Sequence, residues 1–123
     1  MVDPRLVPLQ AFEEMVVDAL DALPESAAPV LAEVVVLVED APPTDEIAPG
    51  TTRLGVFRGT PLTRPGGRAS GSLPGTITLY RLPILGACDS PEAVPGRVLK
   101  VLGHEVGHAL GLEEARLRHL GWY

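Results

Sequence analysis

The chain has little that would tie it to a membrane, a nucleic acid or an oxidising compartment. Its single cysteine, Cys88, excludes an intramolecular disulfide and is typical of a small buried hydrophobe. No apolar run approaches the roughly 18 residues that a membrane helix needs. Runs of Lys and Arg are absent and the formal net charge is −6, which argues against a nucleic-acid partner. The N-terminus shows no basic region followed by an apolar stretch, so no signal peptide is expected.

Aromatic residues are also scarce, at 4% of the sequence, although hydrophobic residues reach 46%. These proportions predict a core built from aliphatic side chains. The length of 123 residues suits one compact domain over residues 1–123. We therefore expect a cytoplasmic, monomeric protein with no nucleic-acid or membrane partner.

Hydrophobic periodicity predicts a helix first and then short strands. Residues 8–23 place apolar side chains at helical spacing, and Pro24 ends that pattern. The β-branched run at 34–38 predicts an inner strand. Residues 53–59 predict a second, short strand.

The second half of the chain is expected to hold a loop, a strand and two helices. Residues 60–75 are rich in Pro, Gly and Ser and predict a long surface loop. Residues 76–85 predict a strand with one buried face, and Pro83 favours an edge position for it because proline cannot donate to a ladder. A long helix is expected from about Pro95 to Leu110, followed by a short helix and tail at 112–123.

The most informative segment of the chain is His104-Glu105-Val106-Gly107-His108. Four residues make about one helical turn, so both imidazoles lie on one side of a helix. Neutral imidazoles bind zinc, and a carboxylate outside the coordination shell can take a proton from metal-activated water. The segment therefore predicts a site for one Zn²⁺ ion, with Glu105 as the general base.

A helical wheel tests whether these histidines are core residues instead. With His104 at 0°, His108 falls near 40°, at about 100° per residue. Six apolar residues of the same helix lie between about 120° and 240°: Val98, Leu99, Leu102, Val106, Ala109 and Leu110. The histidines thus point away from the core, which leaves two solvated surface histidines as the remaining alternative to a metal site.

A catalytic zinc site normally has three protein ligands and one water. Gly111 can adopt a positive φ and turn the chain back under the helix end, which would bring Glu114 toward the metal. We therefore expect His104, His108 and Glu114 as the ligands. His119 and Glu113 remain open as alternatives for the third position.

At these residues the chain resembles the zincin metallopeptidases, and Gly111 resembles the turn of their metzincin branch. Two features depart from that branch, since glutamate stands at 114 where histidine is usual and no methionine follows Met15. The chain is more similar to a family of minimal bacterial zincin-like proteins of about this length. That similarity covers the segments 12–24, 34–42, 54–63, 76–84 and 104–122.

The resemblance implies an α+β, minimal zincin-like fold. Its expected elements are an N-terminal helix, a small mixed or antiparallel sheet with an edge strand, an active-site helix and a short C-terminal helix. It also implies a zinc-dependent metallopeptidase that hydrolyses peptide bonds. The alternative is a module that keeps the fold and binds metal or peptide without turnover. Separately, the predicted edge strand at 76–82 is suited to bind a peptide or protein substrate as an extra strand, and a plain structural edge is the equal alternative.

Overall fold

The architecture described here is that of a computed structural model of the chain. The structure describes residues 1–61, 75–112 and 114–120, and of Glu114, Leu117 and Leu120 it describes the backbone. The fold is α+β, as expected, with helices packed on a small mixed sheet. The predicted loop at 60–75 falls almost wholly outside the described residues.

The described elements alternate helices and strands along the chain, with 3-10 turns between several of them. The five helices of this described part are α1 (Leu9–Ala22), α2 (Ala28–Leu31), α3 (Arg81–Gly86), α4 (Val94–Ala109) and α5 (Glu114–Leu120). Its three strands are β1 (Val34–Glu39), β2 (Gly55–Arg58) and β3 (Gly75–Tyr80). Within the same residues, no helix is both long enough and apolar enough to cross a bilayer.

The sheet has the order β1-β3-β2, so β3 is its central strand. β1 pairs with β3 in parallel and β2 pairs with β3 in antiparallel orientation. Two expectations about strand position were therefore wrong. The valine-rich strand β1 lies at an edge, where Val35 and Leu37 on its outer face are 44% and 41% exposed.

The segment at 76–85 was expected to be one edge strand, and both parts of that expectation fail. β3 ends at Tyr80, and the chain then forms α3, in which Ile84 and Leu85 are fully buried. Pro83 occupies the first turn of α3, where its missing N–H costs no intrahelical hydrogen bond. The proline therefore marks a helix start and says nothing about the position of β3 in the sheet.

Helix α4 lies at the centre of the fold, in contact with α1 and with strands β2 and β3. Its buried side includes Val94, Val98, Leu102 and Val106, each fully inaccessible to solvent. Burying several aliphatic side chains of this size stabilises the helix by about 1.5–3 kcal/mol for each. The helix is thus fixed on two sides, and its remaining side carries the candidate site.

Candidate metal centre

Helix α4 brings the two histidines together in the way their spacing predicts. The Nε2 atoms of His104 and His108 lie 2.9 Å apart, so one ring donates a hydrogen bond to the other. The ring centroids are 4.5 Å apart and the planes meet at 81°. Both side chains are half-buried, whereas the flanking Gly103 and Ala109 are buried. The histidines therefore occupy the accessible stripe of a largely buried helix.

This arrangement fits a tetrahedral metal ion. Two nitrogens bound to one zinc lie about 3.3 Å apart, given Zn–N bonds of about 2.0–2.1 Å. The two Nε2 atoms already converge to 2.9 Å, so only a small rotation of the rings is needed. The imidazole pair thus matches half of the donor set of a zinc site.

No third candidate ligand joins the two histidines among the side chains that the structure describes. Those residues contain no group of three His, Cys, Asp or Glu side chains that could hold a metal ion. His119 lies on α5 with an exposed side chain and does not complete such a group. Glu113 and the side chain of Glu114 lie outside the described residues. The backbone places Glu114 at the first position of α5.

Gly111 ends α4 as expected, with φ at +84°. Its N–H donates to the His108 carbonyl oxygen at 2.9 Å, and the Leu112 N–H donates to the Gly107 carbonyl oxygen at 2.9 Å. This pair of hydrogen bonds is a Schellman motif, which reverses the chain direction after a helix. Since one of the accepting carbonyls belongs to His108, the turn and the candidate ligand are part of one rigid helix end.

Glu105 is 7% exposed, although it carries a carboxylate. A buried carboxylate costs free energy unless its charge is compensated. The side chain lies with that of His104 in the wall of one cleft, so it borders both the protein interior and the accessible stripe. This placement suits a group that exchanges a proton with a molecule in the cleft.

The cleft beside His104 and Glu105 has a volume of about 590 Å³. One wall is α4 and the other is the start of β2 with the residues before it. Three cationic side chains line it that the sequence interpretation did not single out: Arg53, Arg97 and Lys100. Helical spacing could have found two of them, because Arg97 and Lys100 lie seven and four residues before His104. No sequence signal connects Arg53 to this helix.

Two carboxylate–arginine pairs away from the cleft have shifted pKa values. Hydrogen bonds from Arg5 lower the pKa of the exposed Asp3 carboxyl. The Glu46 carboxylate raises the pKa of Arg58, the last residue of β2, mainly by accepting hydrogen bonds from the Arg58 guanidinium. A hydrogen bond with the Tyr80 side chain also raises the pKa of Arg58. In both cases the cause is a hydrogen-bonded pair of a carboxylate and an arginine.

Comparisons with known proteins found a matching family and a similar solved structure. A model of the family described as zincin-like metallopeptidase matches residues 31–122. No curated protein sequence is significantly similar to the chain. Among solved structures, a conserved hypothetical protein from Thermus thermophilus superposes with a TM-score of 0.60 and 26% identity. The match covers 85% of this chain and 94% of that one.

Proposed function

Because the chain belongs to the zincin-like metallopeptidase family, we propose that it hydrolyses peptide bonds in a zinc-dependent reaction. One observation carries the proposal. Two imidazole Nε2 atoms converge at 2.9 Å on one helix stripe, and the buried carboxylate of Glu105 lies in the wall of the cleft that His104 also lines. A site that only held a metal for stability would have no use for that carboxylate and would normally be closed by four protein ligands.

In this proposal His104, His108 and Glu114 hold the ion. The Schellman turn at Gly111 supports the third ligand, since it fixes how the chain leaves His108. When bound, zinc acts as a Lewis acid that activates water and stabilises developing negative charge. The protein must hold two neutral imidazoles in place, and the packing of helix α4 fixes the backbone that carries them.

Glu105 acts as the general base and then as the general acid. Its carboxylate accepts a proton from the attacking water and donates it to the leaving amine nitrogen as the peptide bond breaks. The position of Glu105 next to His104 in the chain keeps the carboxylate beside the metal ligands without joining them. Because Glu105 is only 7% exposed, the proton transfer is shielded from bulk water.

The peptide substrate was expected along residues 76–82, but these include the central strand β3, which is paired on both sides. We place the substrate along β2 instead. The Tyr80 N–H donates to the Leu54 carbonyl oxygen at 2.9 Å, so the alternation of an antiparallel ladder turns the Gly55 and Phe57 backbone groups away from β3. Among the described strands none pairs with that side of β2, and Leu54 and Gly55 line the cleft. A peptide could therefore add there as a further strand.

The direct test is the Glu105→Gln variant, assayed with zinc-loaded protein on a mixed peptide library. We expect cleavage to fall by about 10²- to 10⁴-fold, because that is the usual contribution of a general base. The zinc content should stay equal to that of the unaltered protein. Glu13→Gln, an exposed position on α1, is the matched control and should keep full activity.

Two results would decide against the proposal. If zinc-loaded protein binds the ion and cleaves none of the library, the chain is a metal- or peptide-binding module that retains the fold. If Glu105→Gln cleaves as fast as the unaltered protein, the general base is another group.

A further inference from the structure

Two of the three cations of the cleft lie on the same side of α4 as the histidines. With His104 at 0° on the wheel of α4, Arg97 falls near 20° and Lys100 near −40° at about 100° per residue. Their Cα atoms precede that of His104 by about 10 Å and 6 Å along the helix axis. Arg53, immediately before β2, supplies the third cation from the opposite wall.

These cations have no carboxylate partner among the described residues. By contrast, Arg5 pairs with Asp3, Arg58 with Glu46 and Arg81 with Asp40. Of the described acidic side chains, only Glu105 lines the cleft, at its metal end. The chain as a whole carries a formal net charge of −6, so this cluster of three cations has the opposite sign to the net charge.

Two of the three cations also border a second, smaller cavity. It has a volume of about 220 Å³, and Arg97 and Lys100 line it as well. Arg97 is half-buried and Lys100 is exposed. A bound anion at this point would thus be in contact with helix α4 and partly shielded from solvent, where charge-assisted hydrogen bonds are stronger than in water.

We infer that Arg53, Arg97 and Lys100 form a carboxylate-binding subsite, so that the preferred substrates are acidic peptides. This inference rests on the proposed peptidase function. An extended peptide advances about 3.3 Å per residue. The carboxylate therefore belongs to a residue about two or three positions from the bond that is cut, given the axial distances of about 6–10 Å from His104.

The subsite has a further physical role. A protein of net charge −6 repels acidic peptides at long range, whereas local cations in a cleft attract them and raise their association rate. Salt screens exposed charges beyond about 8–10 Å, so the preference for acidic peptides should weaken as ionic strength rises.

The carboxylate that the subsite binds is either an acidic side chain or a free peptide C-terminus, because both present the same group to the cations.

The experiment compares peptides that differ only in that carboxylate. A neutral peptide is scanned with single Glu and Gln substitutions at four positions on each side of the cleavage site, and each peptide is made with a free and an amidated C-terminus. We expect kcat/KM to be about 10- to 100-fold higher for the best carboxylate peptide than for its neutral partner, the usual range for a hydrogen bond to a charged group. A Glu effect identifies a side chain, and a loss on amidation identifies the terminus.

The Arg97→Gln/Lys100→Gln variant should bring that ratio close to one. Arg5→Gln removes an exposed cation that pairs with Asp3, so it is the control and should leave the ratio unchanged. Equal kcat/KM for Glu and Gln peptides in the unaltered protein overturns the inference, and so does a preference that survives the double substitution.

A binding measurement separates this inference from the proposed function. Fluorescently labelled Glu and Gln peptides are titrated into zinc-loaded Glu105→Gln protein, with the same two peptides titrated into the protein that also carries Arg97→Gln/Lys100→Gln. Tighter binding of the Glu peptide, lost in the second protein, supports the subsite even if no peptide is ever cleaved. Equal binding of the two peptides overturns it even if zinc-dependent cleavage is established.

Discussion

Gly55 sets how closely the edge strand β2 approaches helix α4. A Cβ atom at this position would lie 2.9 Å from Val101 Cγ1 and 3.1 Å from the Thr78 carbonyl oxygen. The first distance is shorter than real Cβ contacts, and the second involves backbone that cannot easily move. Val101 precedes Glu105 by one turn and lines the same cleft, so the glycine also determines the width of the cleft.

We expect Gly55→Ala to lower the free energy of unfolding by about 1–3 kcal/mol, the usual cost of overpacking. Urea denaturation followed by circular dichroism measures this loss. Gly86→Ala is the matched control, since nothing lies within 4 Å of a Cβ there, and it should be neutral or slightly stabilising. An unfolding midpoint for Gly55→Ala equal to that of Gly86→Ala would show that β2 and α4 can separate freely.

At the scale of an element, α4 and its end turn form the centre of the site. Val94, Val98 and Leu102 hold one side of the helix in the core, so the other side presents its polar residues in a fixed direction. The Schellman motif then fixes the angle at which the chain leaves the helix, with Gly111 at φ +84°. The site thus depends on the backbone after His108 as much as on the imidazoles.

Substitution at Gly111 tests the contribution of the backbone, because it leaves both imidazoles unchanged. Gly111→Ala places a Cβ in the left-handed region, which costs about 1–2 kcal/mol, whereas Gly111→Asn should lose less because asparagine tolerates this conformation. The free energy of unfolding from urea titration measures both losses, and zinc affinity should fall in the same order. If alanine and asparagine variants unfold at the same midpoint as the unaltered protein, the turn does not constrain the helix end.

At the same scale, the strands show why the local sequence predicted some strand residues but not the position or the end of each strand. The run at 34–38 is valine-rich because Val34, Val36 and Val38 pack on the core, yet its outer residues are exposed at a sheet edge. The segment after Tyr80 carries apolar residues that fit either a strand or a helix. The Leu82 N–H donates to the Asp40 carbonyl oxygen at 3.0 Å, a contact between distant parts of the chain that local periodicity does not encode.

At the scale of the whole molecule, the proposed zinc site predicts that metal binding stabilises the fold. An ion that binds only the folded state stabilises it by about 2.7 kcal/mol when present at 100 times its Kd. A domain of this size should then unfold at a temperature about 10 °C higher with zinc than with a chelator. Differential scanning calorimetry with and without excess chelator measures the shift.

The same calorimetric experiment identifies the ligand set. His104→Ala and Glu114→Ala should each lose most of the zinc-dependent shift, because each removes one proposed ligand. Glu113→Ala is the neighbouring control and should retain it. A full shift in Glu114→Ala with none in Glu113→Ala would exchange the roles of the two glutamates, and a full shift in His104→Ala would place the ion elsewhere.

The sequence by itself determined the features that depend on local chemistry. The period of apolar residues specified α1 and α4, and it placed both histidines opposite the buried side of α4. Gly111 could be recognised because a residue without Cβ is favoured where φ must be positive. These features need only a few neighbouring residues, so a single sequence is enough to find them.

Only the tertiary structure decided which strand is central and which residues meet across the cleft. The order β1-β3-β2 depends on pairing between segments far apart in the chain, and a strand's own composition does not state its partners. In the same way, Arg53 lines one cleft with Arg97 and Lys100 because β2 packs against α4 at Gly55. The histidine pair is therefore a property of one helix, whereas the charged cleft beside it is a property of the folded chain.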